Sequence, residues 1–198
     1  MSVPGAQGSS IGGYRLAVLV TLLCLSWLPL AAQEDEGSVA IRSASADLVD
    51  GVYRVEARLQ YVLSDNALDA LDSGVPINVE LELQVIKARR FWLDDVTAEL
   101  EVNYQLLFNA LSRRYVVRNL NTGEQDSFAT LYSALNNLGR ITSLPVIDAA
   151  LLEDDGTYRI RMRAIVDVKD FPAALRLIAF WRDDWRLTSD WYEWQLAP

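Results

Sequence analysis

The chain has 198 residues with 18 basic and 27 acidic side chains, a net charge of −9, one cysteine and no histidine. Without imidazole there is no Ser–His–acid triad, no Cys–His pair and no His-ligated zinc or copper site. The acidic balance argues against nucleic acid and against electrostatic docking to an anionic membrane, since both select basic surfaces.

Residues 1–32 carry a single charge, Arg15, followed by an apolar run from Leu16 to Leu28 and the close Pro29-Leu30-Ala31-Ala32. A basic residue, a short apolar core and small closing residues form the pattern of a secretory signal peptide. Cleavage after Ala32 is the first reading, although Leu30 stands where a small residue is preferred. The rival is a retained membrane anchor over residues 16–32, near the lower length limit for a span. Cys24 belongs to this leader. Residues 33–198 hold 17 basic and 27 acidic side chains, a net charge of −10, and no cysteine. That part of the chain therefore folds without a disulfide. Residues 33–37 read as a mobile acidic linker and 38–198 as one domain, large enough to bury a core unaided.

Val39–Val49 reads as a first strand, Asp50-Gly51 as a hairpin turn, and Val52–Leu63 as a second strand with Tyr53, Val55, Ala57, Leu59, Tyr61 and Leu63 on one face. Ser64-Asp65 caps a short helix over 66–73, which Gly74 ends.

The centre of the chain is a long hairpin, 75–85 with 96–110. Odd positions are apolar from Val75 to Val85, and even positions from Val96 to Ala110. Such alternation is what a sheet with one dry and one wet face demands. Matching the dry faces requires paired residue numbers with an odd sum. A sum near 181 puts Leu81 beside Leu100, but also Glu80 opposite Glu101 and Glu82 opposite Glu99. Like charges directly opposite are destabilising, so either the register is shifted or basic residues of flanking strands neutralise the row. Arg54 with Arg58, or Arg159, Arg161 and Arg163, have the right alternation. A divalent cation is the less favoured partner for those carboxylates.

The alternation slips after Val85, the mark of a β-bulge. The next turn, Arg89-Arg90-Phe91-Trp92-Leu93-Asp94-Asp95, is either a cap on the core, with the aspartates paired back to the arginines, or a recognition tip.

After a third strand at Arg113–Asn119 and a turn at Asn121-Thr122-Gly123, Asp126-Ser127 is expected to cap a helix over 128–138. Its apolar stripe is Phe128, Leu131, Tyr132, Leu135 and Leu138, ended by Gly139. Strand 141–152 carries Pro145, the sign of an edge or a bend. Residues 158–168 alternate again, with Arg159, Arg161 and Arg163 outward, placed either to pair with the glutamates or to bind an anion. Asp170-Phe171-Pro172 opens a turn or short helix. The tail ends in a strand through Trp185, Leu187, Ser189 and Trp191, with Tyr192 and Trp194 after a phase change. Tryptophans 181, 185, 191 and 194 crowd this tail, either to close the core or to form a partner or sugar surface.

For catalysis, composition leaves carboxylates: Asp94–Asp95, Asp154–Asp155 and Asp183–Asp184, all in expected turns. Neither a cofactor nor a metal is expected, and an enzyme is the least favoured reading.

Several stretches in order resemble a known family: Gly74-Val75-Pro76-Ile77, the Arg89–Asp95 turn, Leu111-Ser112-Arg113-Arg114-Tyr115-Val116-Val117, Phe128–Gly139, Asp167–Leu177 with Pro172 and Arg176, and Trp185-Arg186-Leu187-Thr188-Ser189-Asp190-Trp191. Over residues 38–196 the chain resembles the proteobacterial domain-of-unknown-function family DUF4390. The resemblance brings no activity. It implies an exported, envelope-facing protein with a periplasmic sensing or accessory role, often encoded beside a membrane sensor histidine kinase.

The expectation is an all-β protein: an antiparallel β-sandwich of seven to nine strands with one or two short helices. Its leading function is non-enzymatic binding of a protein partner through Arg89, Arg90, Trp92, Trp185, Trp191 and Trp194. The alternative is a sugar- or lipid-binding module with a Trp-lined cleft, and a carboxylate hydrolase comes last.

Overall fold

Period-2 alternation becomes strand almost wherever the sequence carries it. In the computed structural model, which describes residues 37–89, 95–153, 155–167 and 186–196, β1 is Ser38–Val49 and β2 is Val52–Val62. The turn between them places Asp50 and Gly51 at φ of 50° and 79°, as a two-residue hairpin turn requires. Ser64 accepts a hydrogen bond from the Ala67 N–H at 3.3 Å and starts helix α1, Asp65–Asp72. The long hairpin is β3, Ile77–Lys87, with β4, Asp95–Asn109. Then come β5, Arg114–Asn119; β6, Gln125–Phe128; helix α2, Leu131–Leu138; and β7, Arg140–Asp148. A 3-10 turn, Ala149–Leu151, leads towards β8, Tyr158–Asp167, and the chain closes with β9, Leu187–Thr188, and β10, Tyr192–Gln195.

These strands form two antiparallel sheets, one ordered β1-β2-β7 and the other β10-β8-β3-β4-β5-β6, with β9 beside β8. The arrangement is an all-β sandwich. Ten strands are present among the described residues rather than seven to nine, because β6 and the broken tail pair in short pieces. The phase change before Tyr192 is that break, at Ser189-Asp190-Trp191. Pro145 lies on β7, an edge strand, where a residue without an N–H is tolerated.

Strand β1 packs across the gap against β8, β9 and β10. The inner faces bring Val55, Leu59 and Tyr61 together with Leu81, Leu83, Leu106, Ile160 and Met162 in one apolar cluster. Strand β3 is the most deeply placed: Ile77, Val79, Leu81, Leu83 and Val85 are all at most 2 % exposed. Each such side chain contributes about 1.5–3 kcal/mol by leaving water.

The hairpin takes a shifted register. Paired residues sum to 183, not 181, so Leu81 faces Val102 and Leu83 faces Leu100. The sum is odd, as the matching of dry faces demands. The shift leaves one like-charge pair, Glu82 opposite Glu101, and sets Glu80 against Asn103 and Gln84 against Glu99. The expected bulge is present between Val85 and Ile86.

Helix α2 is also corrected at its start. Thr130, not Asp126-Ser127, is the N-cap, accepting from the Ser133 N–H at 3.2 Å. Residues 125–128 instead pair with the free edge of β5. The helix buries Ala134 and Leu138, and Leu131 and Leu135 pack on the core, while Tyr132 stands 78 % exposed. Tyr132 is thus not a core residue.

The Tyr61 hydroxyl is buried with no hydrogen-bond partner among the described residues. Burial, and secondarily the neighbouring Tyr104, push its phenol well above the ordinary tyrosine value. An unpaired buried hydroxyl costs free energy, so Tyr61→Phe is expected to raise unfolding stability by about 1 kcal/mol in urea titrations. The raised pKa means that stability is fully present below the unfolded tyrosine value. It is lost as pH climbs above that value, a loss that Tyr61→Phe should lessen.

Candidate functional site

On β8 the even residues enter the core, so Arg159, Arg161 and Arg163 must point to the outer face of the large sheet. Strand β8 lies directly beside β3, which sets Arg163 opposite Glu82 and Arg161 opposite Gln84. Arg163 Nε donates to Glu82 Oε2 at 2.6 Å, and Arg161 Nε donates to Gln84 Oε1 at 2.7 Å. Gln84 Nε2 passes the chain on to Glu99 Oε1 at 2.8 Å. Glu101 turns away from Glu82 to accept from Asn103 Nδ2 at 2.7 Å. Arg159 lies 3.1 Å from Glu193 on β10. Arg163 therefore neutralises Glu82, while Glu99 and Glu101 rest on the neutral amides of Gln84 and Asn103. Arg54 and Arg58 belong to the other sheet and take no part.

Charge-assisted bonding from Arg163 holds the Glu82 carboxyl below the usual carboxylate range, against the opposing effect of its partial burial. The stability this adds is full above the unfolded carboxylate pKa and is lost as pH falls through the lower folded value. Glu82→Gln should therefore cost about 1 kcal/mol at neutral pH, discounted for partial exposure. Paired urea titrations at pH 7 and pH 3 should show that difference shrinking in acid.

Trp191 lies across this face. The guanidinium carbons of Arg161 and Arg163 each sit 4.5 Å from its ring centroid, within cation–π range. The ring remains partly exposed. Glu82 and Gln84 hold the two guanidiniums from the strand side, so a large amphipathic ring is fixed over the arginine row.

Trp194, by contrast, packs against the core, tilted towards Tyr192 with ring centroids 6.0 Å apart. It faces Ile160 across the β10–β8 ladder, and that parity turns it inward. Of the tail tryptophans offered for partner binding, Trp194 thus lies on the inner side of the sheet. Arg89 follows β3 and pairs with Asp95 at 2.5 Å, as the return of the turn aspartates to the arginines requires. Arg90, Trp92 and Trp185 lie outside the described residues, as do the leader and the Asp170-Phe171-Pro172 turn.

A second feature is a groove of about 450 Å³ at the end of the sandwich. Tyr53 contributes from one sheet and Tyr158 and Leu196 from the other, with Leu152, Glu153 and Gln195 at its margin. The Tyr158 hydroxyl accepts from the Glu153 N–H at 3.0 Å, and the Glu153 carboxylate is paired with Lys87. The groove thus mixes aromatic and aliphatic carbon with polar groups from Glu153, Thr157 and Gln195, and the Glu153 charge is matched by Lys87. Neither Trp191 nor Trp194 lines it. Its walls come from three separate stretches, at Tyr53, 149–158 and 195–196, so no local pattern in the sequence announces it.

Among the described residues no three acidic or thiol groups converge as metal ligands. Glu82 and Glu101 are neighbours on an open sheet face, not opposed across a cleft, and each carboxylate already has its donor.

A family model described as a domain of unknown function, DUF4390, matches residues 36–195. No curated protein and no solved structure matches the chain.

Proposed function

Because the chain belongs to the DUF4390 family, whose description carries no activity, we propose from its surfaces that it is an exported, non-enzymatic accessory domain that binds a protein partner in the cell envelope. The observation that carries this reading is Trp191 held on the outer sheet face by Arg161 and Arg163. Tryptophan and arginine are the residue types on which interface energy concentrates, and here both are pre-positioned, so little side-chain entropy is lost on docking. The depressed pKa of Glu82 also runs opposite to what a carboxylic general acid needs. The signal-like leader supports a periplasmic location. The ectodomain of a membrane sensor kinase is the kind of partner that the family resemblance suggests.

The test is in-cell photocrosslinking of the full chain. A photoreactive residue at Glu193, exposed on the same outer row, should give a discrete adduct with an envelope protein. That adduct should disappear in the Trp191→Ala background. The same probe at Thr122, an exposed turn residue, should give none. No adduct at Glu193, or an identical one at Thr122, counts against the proposal.

The groove favours a second reading, a small amphipathic ligand such as a sugar or lipid, because its size falls within the range of small-molecule sites. Such a ligand would perturb NMR signals of Tyr53 and Tyr158 while leaving the Glu193 crosslink intact.

A further inference from the structure

On the outer face of the small sheet, β2 and β7 set Arg58 directly opposite Arg140. Like charges so placed repel. The strand arginines elsewhere are partnered: Arg42 with Gln60, Arg54 with the Ser143 carbonyl, Arg114 with Ser127, Arg118 with Gln125, and Arg161 and Arg163 as above. Among the described residues, Arg58 and Arg140 alone of the strand arginines have neither a hydrogen bond nor an ion pair. Two unpaired guanidiniums are thus held side by side on a chain of net charge −9.

The backbone beneath them is irregular. The β1–β2 register shifts between Ile41 and Ser43, the β2–β7 register shifts between Val55 and Ala57, and Ser143 adopts φ of 51°. These bulges surround a depression of about 260 Å³ that Arg58 and Arg140 line together with Ser43, Ser45, Glu56 and Thr142. Guanidinium forks match the geometry of oxyanions, and hydroxyls supply further donors.

We infer that Arg58 and Arg140 form a clamp for a tetrahedral oxyanion, a phosphate or sulfate group, seated in the bulged depression of the small sheet. The anion relieves the cross-strand repulsion between the two guanidiniums. Glu56 opposes it and sets the affinity lower than two arginines alone would give. This site is on the opposite sheet from Trp191 and does not depend on that surface.

The test is an NMR titration of the full chain with inorganic phosphate at constant ionic strength. Saturable shifts are expected at the Arg58 and Arg140 Nε–H signals and at the amides of 43–45, 57–58 and 140–142. Arg58→Gln and Arg140→Gln should each weaken binding about tenfold, the loss of one charge-assisted contact. Glu56→Gln should tighten it, and Arg114→Gln on the other sheet should change nothing. Thermal midpoints no lower than that of the parent chain would show that the arginine variants stay folded. Phosphatidylglycerol vesicles form the second arm: saturation by vesicles but not by phosphate supports the clamp and makes its source a lipid headgroup. Failure of both probes, or binding that survives in the Arg58→Gln/Arg140→Gln double variant, overturns the inference.

Discussion

Leu81→Ala is expected to lower the unfolding stability of the sandwich by about 2–5 kcal/mol, enough to consume a large part of what a domain of this size has. Leu81 is fully buried at the middle of β3, between Val102 on β4 and Ala164 on β8. Removing its isobutyl group loses transfer free energy and leaves a cavity, since both neighbouring strands are hydrogen-bonded in place and cannot collapse into it. Urea unfolding followed by tryptophan fluorescence reads the loss directly. Leu111→Ala, at the exposed tip between β4 and β5 where the side chain is 99 % exposed, should cost less than about 0.5 kcal/mol. Equal effects at the two positions would mean that β3 is not the core of the fold.

Gly139→Ala should be nearly as damaging, at about 3 kcal/mol, the upper end for a group forced into a filled space. Gly139 has φ of −77°, so the reason is not left-handed backbone. A Cβ there would lie 2.3 Å from the Leu59 carbonyl oxygen. The clash is with backbone, and the Leu59 N–H donates to the Gly139 carbonyl at 2.8 Å, so helix α2 cannot move away from β2 without losing that bond. Gly51 makes the opposite case, with φ of 79° and open space around it. Alanine there costs only about 1–2 kcal/mol of backbone strain. Midpoints of urea unfolding for the two variants should fall in that order. The reverse order would restore the simpler view of Gly139 as a helix stop.

The sequence shows parity well and register poorly, and the difference is physical. Parity is local: alternate residues of β3 and β8 must face opposite ways whatever they pair with, which is why the Arg161–Gln84 and Arg163–Glu82 contacts were foreseeable as a class. Register is not local: the bulge between Val85 and Ile86 raises the paired sum from 182 to 183, one of the two steps that separate the observed pairing from 181. A capping residue is likewise ambiguous alone. Ser127 and Thr130 both suit an N-cap, and the unpaired edge of β5 drew residues 125–128 into a strand instead. The fates of Trp191 and Trp194 turned on the break at Ser189-Asp190-Trp191, which reset which rows faced the core. Arg58 and Arg140 lie far apart in the chain, and only the docking of β7 on β2 brings them together. The groove around Tyr53 and Tyr158 has the same origin.

The exposed Trp191 row, the arginine–glutamate ladder and the buried β3 side chains all depend on one registration of three strands. Inter-strand Hα–Hα and amide NOEs measured on labelled protein test it most directly. Contacts that join Glu82 to both Glu101 and Arg163 are the predicted result. Contacts from Glu82 to Glu99, or sequential amide patterns of helix across residues 77–87, would contradict it.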